Sequence, residues 1–212
     1  MLGSLGLEVY QLRTNLRTLG GALDCDWEHE THGIWLAATL ACLEPFFERV
    51  LIPSSYSYDI LRLPWGSNPV TDPLFSSERT PVWHDGAAWN KLGKVRFMAQ
   101  HPVIQRQLRV CWQGMHLDRN CGRCYKCITT QISFWLSGVP APPAFPQPCR
   151  LPDVAGLKLK NAQQRYLMRV LHAEATQQRM TSLARAIRRA QWRQAALRLR
   201  HGLGRVRRLL DD

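Results

Sequence analysis

The sequence predicts an α/β protein: a doubly wound parallel sheet, ending in a cysteine knuckle and followed by a basic helical tail. Three observations carry that expectation. A β-patterned run, an apolar helix and a second apolar run follow one another across residues 6–53, the order of a βαβ unit. Cys111, Cys121, Cys124 and Cys127 follow the spacing C-x9-C-x2-C-x2-C. From residue 151 onward 14 Lys or Arg face 4 Asp or Glu, whereas the first 150 residues hold 14 against 12. The net charge of +12 therefore sits mainly in the tail.

The elements read as follows. Residues 6–12, GLEVYQL, alternate apolar and polar and predict a strand. A helix is predicted over about 33–47, with Thr31 as N-cap and an apolar surface on most sides. Residues 49–53, Arg-Val-Leu-Ile-Pro, predict a buried parallel strand. The polar loop Ser54-Ser55-Tyr56-Ser57-Tyr58-Asp59 follows it. Ligands of doubly wound sheets sit beyond the carboxyl ends of strands, which makes this loop a candidate site; an ordinary solvated loop is the alternative. A long connection containing Pro64, Pro69 and Pro73 leads to a second strand over 80–84.

Helices are predicted over about 87–99, 103–108 and 128–136, the last capped by Gly138. Residues 139–153 contain six prolines and predict a stiff linker. From Leu157 to Leu210 the pattern is helical, with a break near Gly202. Met180, Leu183, Ile187 and Gln191 line one face there, and Arg185, Arg189 and Arg193 another. The domain division expected is 1–138 with the knuckle at 111–127, a linker over 139–156, and a basic tail over 157–212.

Four thiolates with two-residue spacings suit one tetrahedral zinc ion. Gly122 supplies backbone freedom inside the knuckle, and Arg119, Arg123 and Lys126 set positive charge among the sulfurs. Three cysteines within seven residues are poorly placed for disulfides. An iron–sulfur cluster is the other metal reading. With every position filled by protein sulfur, the zinc is expected to be structural rather than catalytic. Cys42 reads as a core residue of the first helix.

A 45% apolar content and eight tryptophans indicate a packed chain. No run of 18 apolar residues exists, so no transmembrane segment is expected. The first residues lack the pattern of a signal peptide. A thiol-rich metal cluster points to a reducing, cytoplasmic compartment.

The segments THGIWLAATLA, VLIPSSYSYD, PWGSNPVTDPLFSSE, PVWHDG, LRVCW and NCGRCYKC resemble the PP-loop (N-type) ATP pyrophosphatase family. The knuckle is similar to that of 7-cyano-7-deazaguanine synthase, which has one residue fewer in its first gap. The resemblance covers roughly residues 7–138. It implies a truncated Rossmann-like domain that adenylates a carboxylate or amide oxygen with ATP, releases pyrophosphate and lets a nitrogen nucleophile displace AMP. ATP and Mg²⁺ are the cofactors it implies. The family's Ser-Gly-Gly-x-Asp-Ser phosphate loop does not occur in these residues. The chain is thus expected to be inactive alone, with an N-terminal PP-loop half or a homo-oligomer as partner.

By the same resemblance, Lys94 would neutralise charge developing on pyrophosphate. Ser54, Ser55 and Tyr56 would face nucleotide or substrate. His32 and Gly33 would open a helix toward an anion, although His32 reads equally as a helix-capping residue. Asp72, Glu78 and Asp85 would hold Mg²⁺, although Asp85-Gly86 also reads as a plain turn. The alternative expectation, drawn from the tail, is a non-catalytic zinc protein that binds nucleic acid or a partner protein through its arginine-rich helices; the plainer reading of the same tail is a solvated helical hairpin that packs on its own domain or on a partner. An anionic membrane surface is a further possible partner for such a helix.

Overall fold

The computed structural model describes residues 3, 6–111 and 118–210, with side chains through 196. The chain divides into two units, Glu8–Asn90 and Lys91–Asp212, the second taking in Met1–Leu7. That division differs from the sequence expectation, which placed the boundaries at 138 and 156.

In the first unit, β1 (Val50–Pro53) and β2 (Val82–Asp85) form a parallel pair in register from Val50↔Val82 to Pro53↔Asp85. Both strands fall where the apolar runs predict them. Their β-branched residues point one way: Val50, Ile52 and Val82 are buried with Ala37, against Leu40 and Phe75. The other face is partly exposed, with Leu51 at 55% and Trp83 at 49%, the Arg49 guanidinium lying 3.8 Å over the Trp83 ring. Only one side of the strand is therefore buried, not both.

The helices of this unit are α1 (Leu16–Ala22) and α2 (His32–Ala41). One π-helical turn, Trp27–Thr31, runs into α2. Thr31 stands at the N-cap position of α2 as expected, but its side chain makes no capping bond. Asp26 starts the coil earlier, its carboxylate accepting from Glu28 N–H and His29 N–H. The helix stops at Ala41 rather than near 47, since Pro45 lacks the N–H that a continuing helix needs. Cys42, expected in the core, is exposed at that end.

The strand expected over 6–12 is absent: residues 7–15 have no regular structure. Leu7, Val9, Tyr10 and Leu12 are all exposed. Alternation makes a strand only where a neighbour takes up its backbone hydrogen bonds, and the described residues provide none.

The second unit is helical: α3 (Lys91–Met98), α4 (Pro102–Gln107), α5 (Tyr125–Trp135), α6 (Leu151–Ala155), α7 (Ala162–Gln177) and α8 (Thr181–Leu210). At its centre stands α5, buried at every residue from Cys127 to Phe134. Its hydroxyls pair with carbonyls one turn back, Thr129 to Tyr125, Thr130 to Lys126 and Ser133 to Thr129, so they bury without loss. Ile128, Ile132 and Leu136 share one core with Val154 of α6, Leu171 of α7 and Ile187 of α8. Gly138 closes α5 at φ +83°, as expected.

Two expectations for this unit change. The proline-rich stretch is no free linker. Phe145 and Cys149 are buried, Ala144 N–H donates to Gln105 O, and Cys149 N–H donates to Gln131 Oε1. Prolines stiffen a strap here, and one of them, Pro152, starts α6. The tail breaks at Gln178–Met180, where Arg179 adopts φ +58°, and α8 continues through Gly202. The faces of α8 match expectation: Leu183 and Ile187 are buried, while Arg185, Arg189 and Arg193 are exposed. No helix among the described residues is long and apolar enough to cross a membrane.

Candidate metal centre

The four cysteines reach one point from three places in the chain. Cys111 ends the segment after α4. Cys121 lies in the knuckle turn, and Cys124 and Cys127 are the N-cap and a first-turn residue of α5. Residues 112–117, including Trp112 of the LRVCW segment, lie outside the described residues.

All four sulfurs lie within 4.8 Å of one another. Cys121 Sγ is 3.8 Å from Cys127 Sγ, and Cys124 Sγ is 3.9 Å from Cys111 Sγ. A tetrahedron with Zn–S bonds of about 2.3 Å has edges of about 3.8 Å. Bonded sulfurs would stand about 2.0 Å apart, and every cysteine is free. The donor set and the sulfur spacing fit one tetrahedral ion such as zinc. Several irons in a cluster would hold thiolates farther apart than one shared ion does.

Local backbone geometry builds this arrangement. Gly122 holds φ +72°, and a Cβ on it would stand 2.6 Å from Gln147 O. The turn thus needs glycine twice, for its left-handed backbone and for the strap pressed against it. It lets Cys124 N–H donate to Cys121 Sγ at 3.3 Å. Burial opposes ionisation of Cys121, but N–H groups of Arg123 and Cys124 and the neighbouring thiols outweigh it, bringing its pKa to about 7. Burial raises Cys124, against hydrogen bonds from Cys127 that lower it, and raises Cys127 more strongly, with Cys124 and Cys121 adding to that rise. One thiol is therefore ready to receive a cation, and the others give up protons as it binds.

Buried polar side chains hold the frame, and the cysteine pattern does not announce them. Asn120, 3% exposed, accepts from Val110 N–H and Cys111 N–H and donates to Leu108 O and Ala144 O. It clips the first ligand's segment to the knuckle. Gln131 donates to Gly122 O at 3.2 Å and accepts from Cys149 N–H at 2.9 Å. Its signal in the sequence was a lone amide inside an apolar helix. The Arg109 guanidinium donates twice to Cys111 O, at 3.1 and 2.9 Å.

Lys91 Nζ donates to Thr129 Oγ1 at 2.9 Å. Burial, helped by the Lys126 charge, lowers the Lys91 pKa from 10.5 to about 8, while Cys124 and Cys127 pull it upward. An ammonium there offsets thiolate charge.

The other sequence candidates lie apart from this centre in the chain and are placed as follows. Lys94 is half-buried on α3. Ser54 and Ser55 follow β1, with Ser54 N–H donating to Asp85 O at 2.7 Å. Tyr56 is buried, its ring edge-on to Trp65 at 4.9 Å, and burial raises its phenol pKa against the pull of Arg62.

His32 Nδ1 lies 2.9 Å from Trp27 O, and its ring packs edge-on to Trp65. Gly33 N–H donates to Gly66 O, and a Cβ on Gly33 would stand 2.0 Å from that oxygen. The start of α2 is occupied by its own chain. Asp72 is fully buried and accepts from Ser67 Oγ, Asn68 N–H and His84 Nδ1. Glu78 lies in the turn before β2 and Asp85 at its far end. The three carboxylates do not converge, and among the described residues only the four cysteines form a metal-type cluster.

No family model, curated protein or solved structure matches this chain.

Proposed function

We propose that this chain is the zinc-bearing part of a PP-loop ATP pyrophosphatase-like enzyme, which adenylates a substrate, releases pyrophosphate and serves C–N bond formation. The supporting observation is the parallel register of β1 and β2, with the loops beyond both carboxyl ends tied together. Ser54 N–H donates to Asp85 O at 2.7 Å, and Tyr58 N–H donates to Ala87 O at 2.9 Å. Doubly wound sheets bind their ligands at that end. Ser54, Ser55, Asp85 and Gly86 are the residues it offers. Asp85 is the carboxylate left for Mg²⁺, since the Asp72 carboxylate is already satisfied internally and Glu78 lies before β2, at the strand's other end. Lys94 remains the candidate for pyrophosphate charge.

Parallel sheets are ordinarily covered on both faces and paired at their edges. The pair β1–β2 leaves Leu51 exposed and Trp83 covered only by the Arg49 guanidinium and, among the described residues, an unpaired edge on each strand. The phosphate-loop half, further β/α units of the same doubly wound sheet, is the occupant we assign to that surface. The zinc is structural, and a reducing, cytoplasmic setting belongs to the same proposal.

Photolabelling of the zinc-loaded chain with 8-azido-ATP tests the reading. ATP-protectable label is expected within 54–58 or 85–90, with no ATP–pyrophosphate exchange by the chain alone. Absence of protectable label at millimolar nucleotide, or its mapping elsewhere, would overturn it.

A further inference from the structure

A shallow groove of about 900 Å³ runs between α6 and α8. One wall is α8, presenting Arg185, Arg188, Arg189, Arg193 and Trp192; the other is α6, presenting Leu151 and Ala155. Among the described residues no acidic side chain lines it. The nearest acid on α6, Asp153, is engaged by Arg150, through its guanidinium at 3.6 Å and its N–H at 2.8 Å. Among the described residues none of the four groove arginines pairs with a carboxylate. Trp192 is 70% exposed. A tryptophan held in water among unpaired guanidinium groups has no use in the core, which α8 meets with its other face.

We propose that this groove binds single-stranded nucleic acid, with the arginines on successive phosphates and a base stacked on Trp192. Arg185, Arg189 and Arg193 repeat every four residues, about 6 Å per step along the helix, and so follow an extended phosphate backbone. Nonspecific single-strand binding combines such a positive track with an aromatic platform, because every base has a face to stack. The same surface does not suit a lipid bilayer. A membrane-bound amphipathic helix inserts its apolar face, whereas that face of α8 is committed inward: Leu183 is 3%, Ala186 6%, Ile187 0% and Ala190 0% exposed. Duplex is disfavoured as well, since its bases are already stacked and leave Trp192 without a role. The proposal stands independently of the pyrophosphatase reading.

Fluorescence anisotropy of a labelled 12-mer of oligo(U) with the full, zinc-loaded chain tests it across a salt series. Binding is expected to weaken linearly in log–log form, and R189A/R193A should flatten the slope by about 1.4, two phosphate contacts at about 0.7 each. W192A should weaken binding about 5- to 150-fold at unchanged slope, and W192F should restore most of it. All these side chains are exposed, so the variants should keep wild-type zinc content and melting temperature. Three results would each overturn the proposal: no binding at 50 mM salt, equal affinity for a 12-base-pair duplex, or indifference to both variants. Binding to vesicles containing phosphatidylserine in preference to the oligonucleotide would overturn it too.

Discussion

Replacing Gly122 by alanine isolates what the knuckle turn demands. An L-residue at φ +72° costs about 1–2 kcal/mol. The added Cβ would also stand 2.6 Å from Gln147 O and 3.0 Å from Gln147 Cβ, roughly an ångström inside ordinary contact. Gln147 is exposed, but its backbone is tethered. Two residues on, Cys149 N–H is held by Gln131 Oε1, and the same amide's nitrogen bonds Gly122 O. Overpacking against a fixed neighbour costs about 1–3 kcal/mol, which brings the total to about 2–5 kcal/mol. Gly138 is the matched control: its φ is +83°, but nothing lies within 4 Å of its built Cβ. Gly138→Ala should therefore cost only the backbone part, about 1–2 kcal/mol. Urea unfolding read by zinc release reports on this unit alone. With a slope of about 2 kcal/mol/M, the midpoint should fall by about 1–2.5 M for Gly122→Ala and about 0.5–1 M for Gly138→Ala. Equal shifts for the two variants would refute the claim that the strap presses on the turn.

Metal analysis should return about one zinc per chain, falling below one in Cys121→Ser or Cys124→Ser. Wild-type chain that takes up no zinc when the metal is supplied under reducing conditions would contradict the centre. Lys91→Met should weaken zinc binding by about 10- to 100-fold in chelator competition, as loss of a supporting partner does. In the zinc-free chain its effect on stability has the opposite sign. The folded pKa is lowered from 10.5 to about 8, so the buried ammonium costs stability fully below about pH 8, and that cost is gone above about 10.5. Lys91→Met should thus stabilise the zinc-free chain at pH 7 but not at pH 11; equal effects at both would contradict this. Asp72→Ala should loosen residues 8–90 by about 2–4 kcal/mol, because Ser67, Asn68 N–H and His84 lose their acceptor together. Limited proteolysis should detect it with zinc content unchanged, and unaltered protease resistance would count against a pinning role.

The cysteine cluster was legible because ligand spacing is local chemistry: two x2 gaps put three sulfurs on a turn and the first turn of a helix. The positions of β1 and β2 were legible because short runs of β-branched residues bounded by turns have few other fates. What escaped was everything decided by a neighbour. Residues 6–12 have the alternation of a strand, yet nothing pairs with them. The prolines of 139–153 look like a spacer, but Phe145 and Cys149 find a pocket against α5, and burial of two side chains outweighs the openness that composition suggests. His32 and Gly33 read as a helix start facing an anion. A carbonyl, Gly66 O, reached the same N–H first, and no local pattern reveals which chain segment arrives there. Asp72 looked like a metal ligand because carboxylates are scored by type, whereas its partners, Ser67 and His84, are set by tertiary approach.

The position of α5 explains why the metal centre and the basic tail cannot be treated as separate modules. Its first turn supplies Cys127 to the sulfur cluster, and one residue later Ile128 enters the core shared with α6, α7 and α8. Anything that binds only the folded arrangement stabilises all that folds with it, and a structural metal does so strongly. Stabilisation from the thiolates therefore passes along a single rigid helix to Leu171 and Ile187, which hold the α7–α8 hairpin. The four groove arginines of α8 stand exposed at the surface, and the spacing between them belongs to the helix that carries them. A four-cysteine cluster of this geometry, two of its sulfurs on buried residues and two on half-buried ones, would on binding an ion govern a surface it never touches, by deciding whether the face opposite that surface has a core to rest on.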